Sequence, residues 1–247
     1  MRILITNDDG LSSRGCQSLE KELATMAEVW VIAPDRERSA TSQAFSLRDT
    51  LRLVQVQDRH YTVNGFPADC VNVALFSGRF PSFDLVVSGI NHGINMGEDI
   101  HYSGTVGAAR HAAIHRVRAL AASTDLRDKF ADFSLVAREL AGFLEQNWQR
   151  LRPGICYSMN IPSNTPLRGY KAVPLGRRSY FDAYRTIEKN ETEEILVLNE
   201  TPPGYWTHAD TDFDYFERGY ATITPLGLDS ADRSELEDWR KIEPTRS

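Results

Sequence analysis

An α/β fold, with a mostly parallel sheet and helices on both faces, is what this sequence predicts, and three patterns carry the prediction. Short apolar runs, each long enough for one strand, alternate with stretches of helical periodicity through the first half. Within each run the apolar residues are consecutive, as expected of strands buried on both faces. Acidic, Gly/Asn-rich or hydroxyl-bearing segments follow directly after these runs, where sheets of this kind place their ligands.

Arg2 to Thr6 reads as the first strand. Cys16, Leu19, Leu23, Met26 and Ala27 fall on one helical face, and Val29 to Ala33 gives a second strand. Leu51 to Val63 suits an antiparallel stretch, after which Pro67 opens a helix over Ala68 to Phe76. Leu85 to Val87 forms a third buried strand, followed by a Gly-rich loop, a helix from about Val106 and a strand over Val117 to Ala122. Phe130, Phe133, Ala137, Leu140, Leu144 and Trp148 form a helical stripe that Pro153-Gly154 ends. The succession is Rossmann-like.

The chain has 247 residues, 25% charged and 41% hydrophobic, enough to bury one large core and unlike a disordered or fibrous sequence. Residues 1–247 therefore read as a single α/β domain, with about 165–247 as a C-terminal extension. Thr186 to Glu217 holds nine carboxylates and one lysine, so this segment is −8 in a chain of total charge −6. With strand-like Ile195 to Leu198 and a Pro202-Pro203-Gly204 turn, it reads as a β-hairpin/helix arm. Net acidity argues against a nucleic-acid polymer or an anionic membrane as partner, though a bound metal could reverse the charge locally. Three scattered cysteines suit a reducing compartment. The N-terminus holds no signal-peptide core and no segment nears the ~20 apolar residues of a membrane span. A cytoplasmic protein is expected.

The first strand runs straight into Asn7-Asp8-Asp9-Gly10. Adjacent carboxylates at a strand end repel unless a positive charge sits between them, and hard oxygen donors suit Mg²⁺, Mn²⁺ or Ca²⁺. Gly10 permits the sharp exit that turns both side chains to one site. Capping of the next helix would also explain the two acids. After the second strand, Asp35-Arg36-Glu37-Arg38-Ser39 offers two arginines for an anion and a hydroxyl for a metal or phosphate, or is an ordinary solvated loop. After the third, Ser88 to Gly97 holds three glycines and two asparagines, Asn91 and Asn95, which favour close backbone approach to a ligand. Ser103-Gly104-Thr105 lies at a predicted helix N-terminus, whose free N–H groups and dipole suit a phosphate, with plain capping as the alternative. Together these segments point to metal-dependent phosphate chemistry. The histidines do not make a zinc motif: His111 and His115, one helical turn apart, lack further ligands.

These motifs resemble the SurE family of stationary-phase survival proteins. The resemblance rests on Met1 to Gly10, Ala33-Pro34-Asp35 with Arg38-Ser39, Pro67 to Val71, Ser88 to Gly97, Tyr102 to Ala109, Asn160-Ile161-Pro162, and Gly219-Tyr220 through Leu226. It implies a metal-dependent nucleotidase acting on nucleoside monophosphates, 5′- and also 3′-nucleotides, and on polyphosphate. It implies one divalent cation per subunit, Mg²⁺ or Mn²⁺, held by Asp8, Asp9, Ser39 and Asn91, with the two aspartates catalytic. Asn95, Ser103, Gly104 and Thr105 would line the phosphate pocket, and the C-terminal arms would build a homodimer or homotetramer. The chain departs from the family pattern at Ala40, Gly65-Phe66, Arg110-His111 and Ser158, none of them a proposed ligand. Two other readings stay open. A haloacid-dehalogenase-like phosphatase would use an aspartyl nucleophile but wants Asp-x-Asp here. A non-catalytic, receiver-like phosphate sensor also pairs acids after its first strand, in about half the length.

Overall fold

A computed structural model describes residues 1–125, 133–163, 166–180, 183–198, 204–206 and 208–240, apart from the side chains of 237, 238 and 240. The chain opens with β1 (Arg2–Thr6), α1 (Arg14–Leu23), β2 (Glu28–Pro34), β3 (Leu53–Gln57), β4 (His60–Val63), α2 (Pro67–Phe76) and β5 (Leu85–His92). A 3₁₀ turn at Gly97–His101 leads to α3 (Gly104–Ile114), β6 (Arg118–Thr124), α4 (Phe133–Asn147) and β7 (Cys156–Ile161). The C-terminal part holds β8 (Tyr170–Ala172), β9 (Arg177–Ser179), β10 (Tyr184–Lys189), β11 (Glu194–Leu198), β12 (Gly204–Trp206), α5 (Asp212–Glu217), β13 (Ala221–Leu226) and α6 (Arg233–Arg240).

Nine strands form one sheet in the order β3-β4-β2-β1-β5-β6-β7-β13-β8. From β4 to β7 every neighbouring pair is parallel; β3 and β13 run against their neighbours β4 and β7. Strand alternation divides the apolar residues between two cores. Ile3 and Ile5 of β1 face Cys16 and Leu19 of α1 and Leu140 and Leu144 of α4. Leu4, between them, faces Cys70 and Val71 of α2 and Val106 and Ala109 of α3. The three cysteines are buried and unpaired. Ser13 caps α1 through the Cys16 N–H, and Asp69 accepts the Phe66 N–H at the head of α2.

Several boundaries differ from expectation. Helix α1 ends at Leu23, where the Ala24 N–H bonds back to the Glu20 carbonyl, so Met26 and Ala27 pack on the same core from outside the helix. Strand β5 continues five residues past Val87, through half of the predicted Gly-rich loop, because Asn91 and His92 still pair with Ser123 and Thr124 of β6. Phe130, Glu200 and the Pro202-Pro203 turn lie outside the described residues. Within 165–247, β13 and β8 complete the central sheet, and α5 buries Phe213 and Phe216. The β10–β11 hairpin, a two-stranded sheet of its own, fits the extended reading, with Tyr184, Ile187 and Leu196 exposed.

Candidate active site

The loops after β1, β2 and β5 and the N-terminus of α3 converge at the carboxyl ends of the parallel strands, as the topology requires. They surround a cleft of about 770 Å³ lined by Asp8, Asp9, Ser39, Asn91, Asn95 and Ser103 among others. Six of the eight residues singled out by sequence thus meet in one place. Gly104 and Thr105 stand behind that lining.

The floor starts with Asn7, which the sequence reading left without a role. Its buried amide donates to the Gly10 carbonyl (2.9 Å) and the Ser13 hydroxyl (2.7 Å) and accepts the Gly10 N–H (3.1 Å). This closed ring of bonds, with Gly10 at φ 91°, fixes the turn that presents Asp8 and Asp9. Asp8 is 4% exposed. Its Oδ1 accepts the Thr105 hydroxyl at 2.5 Å, and the Thr105 backbone N–H also donates to it. The anion at the head of α3 is therefore the Asp8 carboxylate. The side chain of Thr105, expected to line the phosphate pocket, is wholly buried and bonds Asp8. Gly104 has the same partner, since a Cβ there would lie 2.9 Å from both Cβ and Oδ2 of Asp8. Ser103 does cap α3, accepting the Val106 N–H at 3.1 Å, yet it also faces the cleft with its hydroxyl hydrogen free for another acceptor.

Burial drives the carboxyls upward. Asp8 is raised by desolvation, against the lowering effect of Thr105. Asp9 reaches about 6, through desolvation first and then the neighbouring charges of Asp8 and Glu37, although the His92 N–H donates to it. Among the described residues no cationic side chain pairs with either carboxylate. Arg38, expected to meet an anion, is held elsewhere: it bonds the Asn64 carbonyl, pairs with Asp35 and lies over the Phe66 ring. Its backbone N–H alone serves the site, donating to the Asp8 carbonyl at 2.7 Å.

Asn91 is aimed by an irregularity in β5. Ser88 pairs with Ala121 and Asn91 with Ser123, so β5 spends one residue more than β6 over the same interval. Such a bulge re-aims the side chain that follows. The Asn91 amide nitrogen donates to the Gly93 carbonyl (2.8 Å), which leaves its amide oxygen as the group available to a cation. The Ser39 hydroxyl donates to Glu37 at 2.8 Å, so its oxygen lone pairs remain available. Asn95 is locked by groups on β6 and β7. Its N–H donates to Asn160 Oδ1 (2.8 Å), its amide nitrogen to the Ser123 hydroxyl (2.8 Å), and its carbonyl accepts from Asn160 and Ser158. Among the described residues no cluster of three or more His, Cys, Asp and Glu side chains is arranged for a metal. The donor set is two carboxylates with hydroxyl and amide oxygens.

The sequence reading missed the opposite wall. Arg178 follows β9's first residue and pairs with Asp99 at 3.0 Å, while Tyr180 donates to the same carboxylate at 2.6 Å; Leu198 closes the side from β11. Asp212 anchors this wall. Its buried carboxylate accepts the N–H groups of Gly97 (2.9 Å), Gly176 (2.7 Å) and Phe213 (2.8 Å), which ties the loop after β5 to β9 and α5. Its only mark in the sequence is a place within an acidic run.

Comparison with known proteins agrees with this architecture. Residues 3–182 match the family model described as survival protein SurE. A protein named 5′-nucleotidase SurE from Leptospira interrogans is 45% identical over 240 residues, 96% of this chain and 95% of that one. One of the same name from Histophilus somni is 36% identical over 93% of each chain. The crystal structure of the SurE protein from Aquifex aeolicus superposes with a TM-score of 0.85 at 27% identity, over 99% of this chain and all of the other. By its sequence, its sheet and the motifs that meet in the cleft, this chain belongs to the SurE family.

Proposed function

We propose that this protein is a divalent-metal-dependent phosphomonoesterase that releases phosphate from nucleoside monophosphates. The observation that carries the reading is the Asp8–Asp9 pair: two adjacent, largely buried carboxylates without a cationic partner among the described residues, facing a cleft with hydroxyl and amide oxygens around them. Relatives named 5′-nucleotidase supply the substrate class, and 3′-nucleotides and polyphosphate extend it by family resemblance.

The donors fit a hard cation. Asp8, Asp9, Ser39 and Asn91 would hold one Mg²⁺ or Mn²⁺ per subunit, as oxygen-only sets do. When bound, such an ion supplies Lewis-acid charge stabilisation and lowers the pKa of a water. The chain's own groups do the rest. Thr105 and the head of α3 keep the Asp8 carboxylate in one orientation. Ser103 donates its hydroxyl hydrogen to a phosphoryl oxygen while Val106 fixes that hydroxyl. Asn95, held by Asn160, Ser158 and Ser123, presents its remaining amide hydrogen to the equatorial oxygens of an in-line displacement. Preorganised donors of this kind are each worth about 3 kcal/mol of barrier.

Among the described residues no helix is long and apolar enough to cross a membrane. A cytoplasmic homodimer or homotetramer fits the reading, and the exposed Tyr184, Ile187 and Leu196 on the β10–β11 hairpin support association there.

The test is phosphate release from a nucleotide panel, with Mg²⁺, with Mn²⁺ and with chelator. Release should require the metal and be abolished by chelation. Asp8→Asn should keep the native circular dichroism and lose metal-stimulated turnover by at least about 1,000-fold, the scale of removing a principal electrostatic element. Undiminished turnover by folded Asp8→Asn sinks the reading.

A further inference from the structure

The 3₁₀ turn at Gly97–His101 serves two cavities. Asp99 lines the cleft described above, whereas Ile100 and His101 line a second cavity of about 550 Å³. Among the described residues the two linings share no member. Helix α3 divides in the same way. Thr105 at its head bonds Asp8, while Arg110, further along, lines the second cavity. The other walls come from Pro174 and Leu175 and from residues 224–230, at and beyond the end of β13.

Arg110 is the chemical anomaly of this cavity. Among the described residues its half-buried side chain makes no hydrogen bond and no ion pair, and its Nε is closed off from solvent. A charged donor without a partner inside a protein is costly, and such groups are normally satisfied. The acid in the same lining does not answer it. Asp229 accepts the Ala231 N–H (3.0 Å) and pairs with Arg233 (3.4 Å) instead. Around this charge the lining is largely apolar: Ile100 and Leu226 are buried, and Leu175 and Leu228 pack on the same core. Residues 227–230 add backbone N–H groups that meet no acceptor among the described residues.

We infer that the second cavity binds a small organic anion, an oxyanion carried on an apolar body, with Arg110 as its charge partner. A guanidinium offers paired N–H donors that match the oxygens of a phosphate or a carboxylate. Apolar walls with a few placed polar groups are the usual make-up of a small-molecule site. Phosphate monoesters and organic carboxylates share this chemistry, so the probes below separate them. The inference does not depend on what the cleft catalyses.

The experiment titrates phenylphosphonate, benzoate, methylphosphonate and benzyl alcohol into the full-length, Mg²⁺-saturated protein, following backbone amide NMR signals residue by residue. Phenylphosphonate, benzoate or both should shift the signals of residues 227–230 with a Kd of about 1 mM, the scale for a ligand of about ten heavy atoms. The tighter of the two identifies the anion class. Methylphosphonate lacks the apolar body and benzyl alcohol the charge, so each should bind several-fold more weakly. Arg110→Gln should weaken binding at residues 227–230 at least about 10-fold and leave any response at residues 8–10, which report on the cleft, unchanged. Arg110→Met is a second uncharged variant, so a folding defect in one leaves the other to decide. Three results overturn the inference: no shift at residues 227–230 at about 20 mM, where a 1 mM site is nearly full; benzyl alcohol binding as tightly as benzoate and phenylphosphonate; or undiminished binding by a natively folded Arg110 variant. Shifts confined to residues 8–10 place the anion in the cleft alone and overturn it too.

Discussion

The floor and the outer wall of the cleft are made by different means. The floor is built around a local element: Asn7 to Gly10 fold into a bonded turn, and only the head of α3, which takes Asp8, comes from far along the chain. It sits at the middle of a nine-stranded sheet with both cores beneath it. The wall has no such local element and is assembled wholly from distant segments, Asp99 with Arg178 and Tyr180, and Gly97 with Asp212. Where the floor concentrates like charges at a cost to the fold, the wall gives its two acids partners: backbone N–H groups for Asp212, and the Tyr180 hydroxyl and the Arg178 charge for Asp99. The difference predicts that damage to the floor will remove chemistry and spare folding, whereas damage to the wall will cost folding and binding together.

Asp9→Asn should break the floor with the largest effect. Turnover should fall at least about 1,000-fold, as for its neighbour, while the metal-free protein becomes more stable. The sign follows from the raised carboxyl. Asp9 titrates near 6 in the folded chain because burial, Asp8 and Glu37 oppose its charge. An unfolded aspartate titrates near 3.9. The folded state therefore holds the proton more tightly, and stability falls as pH rises from about 4 to about 6. Above that window the full penalty applies, and Asn relieves it by about 1 kcal/mol after solvent screening. Urea titrations at pH 4 and pH 8 without metal check this: the variant should gain at pH 8 and not at pH 4. A loss of stability at pH 8 would mean the floor is not strained by charge.

Asp212→Ala tests the wall. Removing the carboxylate leaves the buried N–H groups of Gly97 and Gly176 without an acceptor. Each such group costs about 1–3 kcal/mol, so a loss of about 3 kcal/mol in the urea midpoint is expected. Because Tyr180 and Arg178 hang from β9, KM should rise more than kcat falls. The contrast with Asp9→Asn is the point: one variant is stable and inert, the other unstable and catalytically competent when folded.

The same division decides what the sequence reveals. β1 and its Asp-Asp-Gly exit are legible because strand, turn and acids are contiguous. The Thr105–Asp8 bond is not legible, because the neighbours of Thr105 in sequence suit a phosphate while the carboxylate that reaches it comes from 97 residues away. Arg38 looks free to meet a ligand until Asp35 and the Asn64 carbonyl take it. Ser88 to His92 looks like loop from its Gly and Asn content, yet pairing with β6 keeps it a strand. Tyr180, Arg178 and Asp212 carry no local signal at all, since their meaning comes from contacts that only the fold creates. Net charge illustrates this as well: the acidic run suggests a solvated arm, but Asp212 within it is 1% exposed and structural.

The smallest effect is expected outside both regions, at His60 on β4. Burial pulls its pKa down, but the bonds to Glu20 (2.7 Å) and to the Asp58 carbonyl (2.6 Å) outweigh this and raise it. A histidine raised by folding contributes most below its unfolded value of about 6.5, and the contribution disappears as pH climbs through the folded value. His60→Gln should therefore lower stability by under about 1 kcal/mol at pH 5.5, given the partial exposure of the pair, and by still less at pH 9. Its kcat and KM should match wild type, because neither the bonded turn at Asn7 nor the Asp212 anchor touches it. Urea midpoints at the two pH values and one kinetic assay settle the matter. If activity moved as well, the separation of floor and wall from the rest of the sheet would be wrong, and strain at the sheet edge would have to reach the cleft through β2.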